Sequence, residues 1–351
     1  MTTLSLSFSG AQKWRDCQQA YDYNYRHKIR PKSRSAPLTL GNWLHSYLER
    51  YYKVIKLRPD VETLAAHEYA VSQTAAEYTP KIESYALAAG VAGQQDVVED
   101  LLKLPETGVD IANRYYHYRG KEDASRYEIL VVEERVEHPA DVALRVPGII
   151  DLIVRDRSTD EIQMWDHKST GNVPDRNSHI LDMQLVLYAI AVERLHGVVI
   201  DKLVWNYMRT KLPATPELLK TRKKGEPPSL TVRKDLDSDW QTYMDALLEN
   251  GLDPEEDRYK LVLGRLQPRA LEVFFPRHNL YLLDEVRPLV MTDFRSTARD
   301  INRAYADPDW TPIRNLGRAC NWCDYRKVCE AVVTGGDPTE IIDRQFTRGG
   351  Q

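Results

Sequence analysis

The sequence predicts an α/β protein: a sheet flanked by helices, a helical N-terminal region, and a C-terminal segment held by cysteines. Three observations predict it. Helical apolar spacing dominates up to about residue 117, and three alternating, β-branched segments follow between 127 and 167. A strong helix then leads into one more strand, the element order of an α/β core. Three of the four cysteines crowd into ten residues near the end of the chain.

The elements follow in order. Residues 8–30 have the apolar and aromatic spacing of a helix, with "SFSGAQ" as its start. "LGNWLHSYLERYYKVI" (40–55) is a second helix, and 62–117 is helical with interruptions. "YEILVVEERVEH" (127–138) alternates and reads as a strand; 143–155 and 161–167 pair as a hairpin through "RDRSTDE". "SHILDMQLVLYAIAVERLHG" is an amphipathic helix closed by glycine, and "DKLVWNYMRT" is a strand. The segment 211–230, rich in Pro and Lys, is a loop. Helices near 236–250 and 254–265, a strand at "ALEVFFPRH", and a long helix over 279–305 complete the pattern.

Composition narrows the function. The net charge of −4 excludes a generally basic protein but leaves room for a local cationic groove. No long apolar run is present, so no membrane association is expected. "MTTLSLSFSG" lacks a basic stretch followed by an apolar one, and a cytoplasmic location is the expectation. In a reducing compartment Cys17, Cys320, Cys323 and Cys329 are not expected to be structural disulfides.

The chemistry concentrates in the hairpin. Asp151 lies inside its first strand, and its second strand ends Asp166-His167-Lys168. Strand pairing brings the two aspartates together near one end, and Asp166 and Lys168 share a face. Two close carboxylates repel unless a cation lies between them, and Mg²⁺ suits a few carboxylates plus water and phosphate oxygens. The backbone carbonyl of His167 is a further available ligand, and Lys168 beside a metal can orient water or stabilise developing phosphate charge. Taken alone, Asp-x-Lys favours a surface hairpin with a salt bridge. Other positions alter that reading: His45 and Glu49 share one face of a helix, and Gln184 and Tyr188 share one face of another. Glu133, on the preceding strand, is expected to face solvent, with an outer-shell carboxylate as the alternative.

The ordered set "GNWLH" (41–45), "GIID" (148–151), "DHK" (166–168) and "QLVLY" (184–188) resembles the PD-(D/E)xK nuclease superfamily in its RecB-like branch. Each motif is weak alone; the four in order are specific. The resemblance implies a restriction-endonuclease-like core, a central mixed sheet flanked by helices. It implies that His45, Asp151 and Asp166, with the His167 carbonyl, bind Mg²⁺ or Mn²⁺, that Lys168 is catalytic, and that Gln184 and Tyr188 support the site or contact DNA.

"CNWCDYRKVC" spaces its thiols C-x₂-C-x₅-C, with Cys17 far upstream. Spacing alone leaves zinc and an iron–sulfur cluster open, with unrelated buried thiols as the bland alternative. Iron–sulfur RecB-like nucleases, among them the AddB nuclease domain and CRISPR-associated RecB-like exonucleases, carry one cysteine at the start of the nuclease region and three at its end. This chain is similar, which implies a [4Fe–4S] cluster clasping the first helix to the C-terminal segment. On that reading 1–335 is one nuclease domain: a mainly helical part (1–120), the catalytic core (121–210), and a part closing the cluster site (211–335). Residues 336–351 are expected to be a flexible tail.

Lys211, Lys220, Arg222, Lys223 and Lys224, against Glu217 and Glu226, make the 211–230 loop a candidate phosphate track or a solvated linker. Trp205, Tyr207 and Arg209 either stack bases or pack, and Tyr21, Tyr23, Tyr25, Arg26, Lys28 and Arg30 are candidates for the mouth of the site. The function expected is a metal-dependent DNA exonuclease acting on single-stranded DNA or free ends, in recombination, repair or phage and mobile-element DNA processing. No G-x-x-x-x-G-K-[ST] loop is present, so a helicase or recombination partner is the expected source of unwinding. The alternatives are a structure-specific endonuclease or CRISPR-adaptation-type end trimmer and, from another class, a catalytically silent, cluster-containing DNA-binding or assembly subunit.

Overall fold

The computed structural model describes residues 3–141, 143–219 and 228–349. In chain order the strands are β1 (Leu4–Ser5), β2 (Ile29–Pro31), β3 (Tyr127–Asp141), β4 (Leu144–Asp156), β5 (Ile162–Thr170), β6 (Lys202–Arg209), β7 (Leu218–Leu219), β8 (Ser229–Leu230), β9 (Arg277–Tyr281) and β10 (Phe346–Arg348). The α-helices are α1 (Phe8–Asp16), α2 (Gln18–Tyr21), α3 (Ala36–Leu57), α4 (Thr63–Val91), α5 (Gln95–Tyr115), α6 (Lys121–Arg126), α7 (Gln184–His196), α8 (Trp240–Glu249), α9 (Asp257–Leu266), α10 (Val286–Ala306), α11 (Arg326–Val333) and α12 (Thr339–Gln345). Among the described residues, no helix is long and apolar enough to cross a membrane.

The central sheet is mixed. β3, β4 and β5 form an antiparallel meander, β6 runs parallel to β5 after the α7 crossover, and β9 closes the far edge antiparallel to β6. β1 adds two residues in parallel to the start of β4. The sheet is covered on both faces. One core packs α1, α7 and α10 against it through residues such as Trp14, Leu187 and Phe294; the other packs α3, α4 and α5 through Trp43, Ala70 and Leu104. Alternation divides β6 between them: Leu203, Trp205 and Tyr207 enter the first core, Val204 and Met208 the second. This is a three-layer α/β/α arrangement, as expected from the element order.

α3 explains its own burial. Leu40, Trp43, Leu44, Tyr47, Leu48, Tyr51 and Tyr52 recur at three-to-four spacing and are all buried. Pro37 in the first turn leaves no backbone donor wasted there. α4 and α5 each tolerate an internal proline, Pro80 and Pro105.

Three expectations need correction. "ALEVFFPRH" is not one strand: Ala270–Phe274 is a π-helical turn that buries Phe274 and Phe275, and the strand starts only after Pro276, at Arg277. The long helix consequently begins at Val286. The first helix breaks at Cys17, whose extended backbone (φ −165°) separates α1 from α2. The expected flexible tail contains α12 and β10; β10 pairs antiparallel with β2, and Ile342 and Phe346 are buried. Apolar residues in that tail found a partner strand that the primary sequence does not announce.

Candidate active site

β4 and β5 stay paired only from Leu152↔Trp165 to Arg155↔Ile162. Beyond Leu152 toward its start, β4 parts from β5 and meets β1 instead, at Leu144 and Arg145. Asp151 and Asp166 are the first residues past the last rung, so the hairpin opens at them. A second irregularity coincides. Val146 and Ile150 face the α7 core, whereas Leu152 and Val154 face the α3 core, so the alternation of β4 slips by one residue at Asp151. On β3 the residue between the flanking rungs Val132↔Leu152 and Glu134↔Ile150 is Glu133, with φ +47°. A non-glycine residue in that region is strained and is held only where surrounding structure fixes it.

α3 supplies His45. Its Nδ1 lies 3.6 Å from Asp151 Oδ2 and 3.9 Å from Glu133 Oε1. One ligand atom from each of His45, Glu133 and Asp151 falls within 4.8 Å of the others. The helix can come this close because Gly41, one turn before His45, faces β5: a Cβ there would stand 2.8 Å from Ser169 Oγ. The glycine of the second motif has a similar reason, since a Cβ on Gly148 would stand 2.7 Å from the Tyr188 ring. The backbone N–H of His167 donates to Asp151 Oδ2 at 2.7 Å. The His167 imidazole is buried and hydrogen-bonded to Asn206, so this residue offers the cleft its backbone alone.

Asp166 is engaged differently. Its Oδ2 lies 2.6 Å from Lys168 Nζ, and Lys168 Nζ also donates to Gln184 Oε1 at 3.3 Å. His45, Asp151, Asp166, Lys168 and Gln184 line one open cleft of about 750 Å³, together with Tyr188, Arg135, Pro37, Leu38 and Ile149; Glu133 stands beside His45 and Asp151 without lining it.

Burial and crowding set the charges. Burial pushes the Asp166 carboxyl up to about 6, with Lys168 opposing and Asp151 adding to the shift. Burial raises Asp151 as well; His45 opposes this and Glu133 reinforces it. Burial alone would lower His45, but Glu133, Asp151 and Asp166 outweigh it and carry the imidazole to about 9. His167 is held well below the usual histidine range, first by burial and then by the charge on His45. For Lys168 burial acts downward, yet Asp166 prevails and raises it. Three carboxylates and an imidazole converge here, and this donor set fits a hard divalent cation.

The structure therefore brings together His45, Asp151, Asp166, Lys168, Gln184 and Tyr188. Within that set, His45 and Asp151 group with Glu133 rather than with Asp166. Glu133 was expected to face solvent; instead it is mostly buried beside His45. The sequence signal was weak, because Glu133 and Glu134 are adjacent acids on one strand and only the +47° backbone decides between them. Arg135 was not singled out; it lines the cleft and has no carboxylate partner among the described residues. Trp205, Tyr207 and Arg209 are buried and pack, Arg209 in a bidentate pair with Asp237 at 2.7 Å. Lys211 pairs with the same carboxylate at 2.9 Å. Lys220, Arg222, Lys223, Lys224 and Glu226 lie outside the described residues. Tyr21 stacks on Tyr25 and Tyr23 packs on Tyr325, away from the cleft.

The four cysteines are free thiols, partly buried, and all line a separate hollow of about 390 Å³. The break at Cys17 turns that residue out of α1 toward this hollow.

A family model for the PD-(D/E)XK nuclease superfamily matches residues 5–330. The chain belongs to that superfamily, whose members are nucleases that use divalent metal ions, and its mixed sheet flanked by helices agrees with the fold. Comparison with curated proteins gives no match.

Proposed function

We propose that the chain is a Mg²⁺- or Mn²⁺-dependent deoxyribonuclease of the RecB-like iron–sulfur branch, and an exonuclease acting on DNA with free ends. The observation that carries the nuclease reading is the convergence of His45, Asp151 and the Asp166–Lys168–Gln184 chain in one open cleft, with Glu133 beside His45 and Asp151. The preference for exonuclease follows the motif resemblance to that branch.

His45, Glu133 and Asp151 would hold the cation, with Asp166 beside them. When bound, it supplies Lewis-acid activation of water and charge neutralisation at the phosphate. The chain's own residues do the rest. Lys168 is fixed between Asp166 and Gln184, aimed at the cleft as a preorganised cation for charge developing on the phosphate oxygens. The His167 N–H orients Asp151. Arg135, with no carboxylate partner among the described residues, is placed to hold a flanking phosphate. Tyr188 fills the space under Gly148 and shapes the floor of the cleft.

The [4Fe–4S] reading rests on the motif resemblance and on four free thiols around one hollow, with zinc as the alternative. The cluster would clasp the α1–α2 break to the 320–329 segment.

The test uses end-labelled linear and closed circular DNA, with Mg²⁺ or Mn²⁺. Loss of linear DNA alone is the expected result. Cutting of circles moves the assignment to endonuclease, and no cleavage by folded protein under any condition leaves a silent binding subunit.

A further inference from the structure

A second hollow, about 290 Å³, lies beside the first turn of α3. Five cations line it: Lys32, Arg34, Arg326, Lys327 and Arg344, against one acid, Asp324. In a chain of net charge −4 this is a marked local excess. Arg326 and Arg344 are committed to Glu330 and Glu340. Lys32, Arg34 and Lys327 have no carboxylate partner among the described residues; Lys32 donates to the Asp343 carbonyl, and Arg34 lies over the Tyr85 ring. Exposed, unpaired cations around a hollow suit a polyanion that runs through it.

The hollow and the catalytic cleft are lined by neighbouring stretches of one segment. Residues from Pro31 to Ser35 line the hollow, and Pro37 and Leu38 line the cleft. Ser35 and Pro37 are two residues apart, so their Cα atoms are about 7 Å apart at most. The cleft side of this boundary is apolar, with exposed Leu38 facing the same space as exposed Ile149. Apolar side chains at the mouth and cations beyond it match a strand whose bases are accommodated first and whose phosphates are held next.

We infer that this basic hollow is a phosphate-binding track for the nucleic-acid strand that occupies the catalytic cleft, with Lys32, Arg34 and Lys327 as its contacts. The inference rests on the nuclease assignment for the identity of the strand. Its role is to extend the binding site past the reacting phosphate, so affinity grows with strand length without any change in the chemistry.

The test measures binding of single strands of about 4 and about 16 nucleotides, without divalent metal, to wild type and to the Arg34→Ala/Lys327→Ala double variant. Both substituted side chains are exposed, so the fold is expected to persist. Wild type should bind the longer strand more tightly. The double variant should lose that gain, and its log K against log[salt] slope should become shallower by about 1.4, the share of two single-strand phosphate contacts. Affinity for the short strand and its metal-dependent cleavage should be unchanged. Cleavage by wild type with no effect of the double substitution on long-strand affinity or slope would overturn the track and spare the nuclease. Length-dependent binding lost in the double variant, with no cleavage by wild type, would overturn the nuclease and spare the track.

Discussion

Gly41 and Gly148 mark the two tightest backbone approaches at the site, and each motif glycine is accounted for by what a Cβ would strike. Gly148→Ala must displace the Tyr188 ring, and an overpacked site of this kind costs about 1–3 kcal/mol. Urea denaturation should show that loss together with weakened cleavage. Proton binding gives a second residue-scale prediction. Asp166 ionises as pH rises through about 6, and His45 keeps its proton until about 9. Metal binding needs His45 neutral and the carboxylates ionised, so apparent affinity should rise with pH across that whole window, and binding at pH 7 should release a proton from His45. Calorimetry in buffers of different ionisation enthalpy measures it; no release at pH 7 would contradict the charge state assigned to His45. The motif residues were legible because their spacing matches helix and strand periods. Glu133 was not, because its role depends on a backbone angle.

At the scale of elements, the site is made by a fault in the sheet. β4 changes face at Asp151, β3 carries a left-handed residue at Glu133, and β5 leaves β4 at the same level. A regular ladder would bury these carboxylates or expose them; the fault turns them toward α3. The strain at Glu133 predicts an inverted preference. Glu133→Gly and Glu133→Ala both remove the carboxylate, but alanine must still adopt φ near +47°, at a cost of about 1 kcal/mol. The glycine variant should be the more stable of the two by chemical denaturation, the reverse of the usual order within strands. The strands before residue 170 and the α7–β6 crossover were readable from alternation and from the glycine stop. The 270–281 region was not: Val273, Phe274 and Phe275 have strand composition, yet packing of the two phenylalanines in the α3-side core holds a helical turn there.

For the whole molecule, the helical layer and the far edge of the sheet are joined by one buried network. Arg277 of β9 reaches Asp123 of α6 through bonds of 2.6 and 2.7 Å, and Tyr52, Tyr115 and Asn206 complete the set. Asp123 is 1 % exposed. Removing one partner strands a buried charge, so Asp123→Ala should cost about 3–5 kcal/mol by chemical denaturation. The layered fold was legible from element order. The C-terminal pairing of β10 with β2 was not, since it joins segments more than three hundred residues apart. The account as a whole depends on the cleft being the place where phosphodiester bonds are hydrolysed. The most direct test is Mn²⁺-dependent cleavage of one labelled DNA strand by wild type, Asp166→Asn and Lys168→Ala, each shown to be folded. Cleavage by wild type, with both variants slowed by a factor of about 10² or more, is the predicted result. Cleavage by both variants at the wild-type rate would place the chemistry elsewhere and contradict the account.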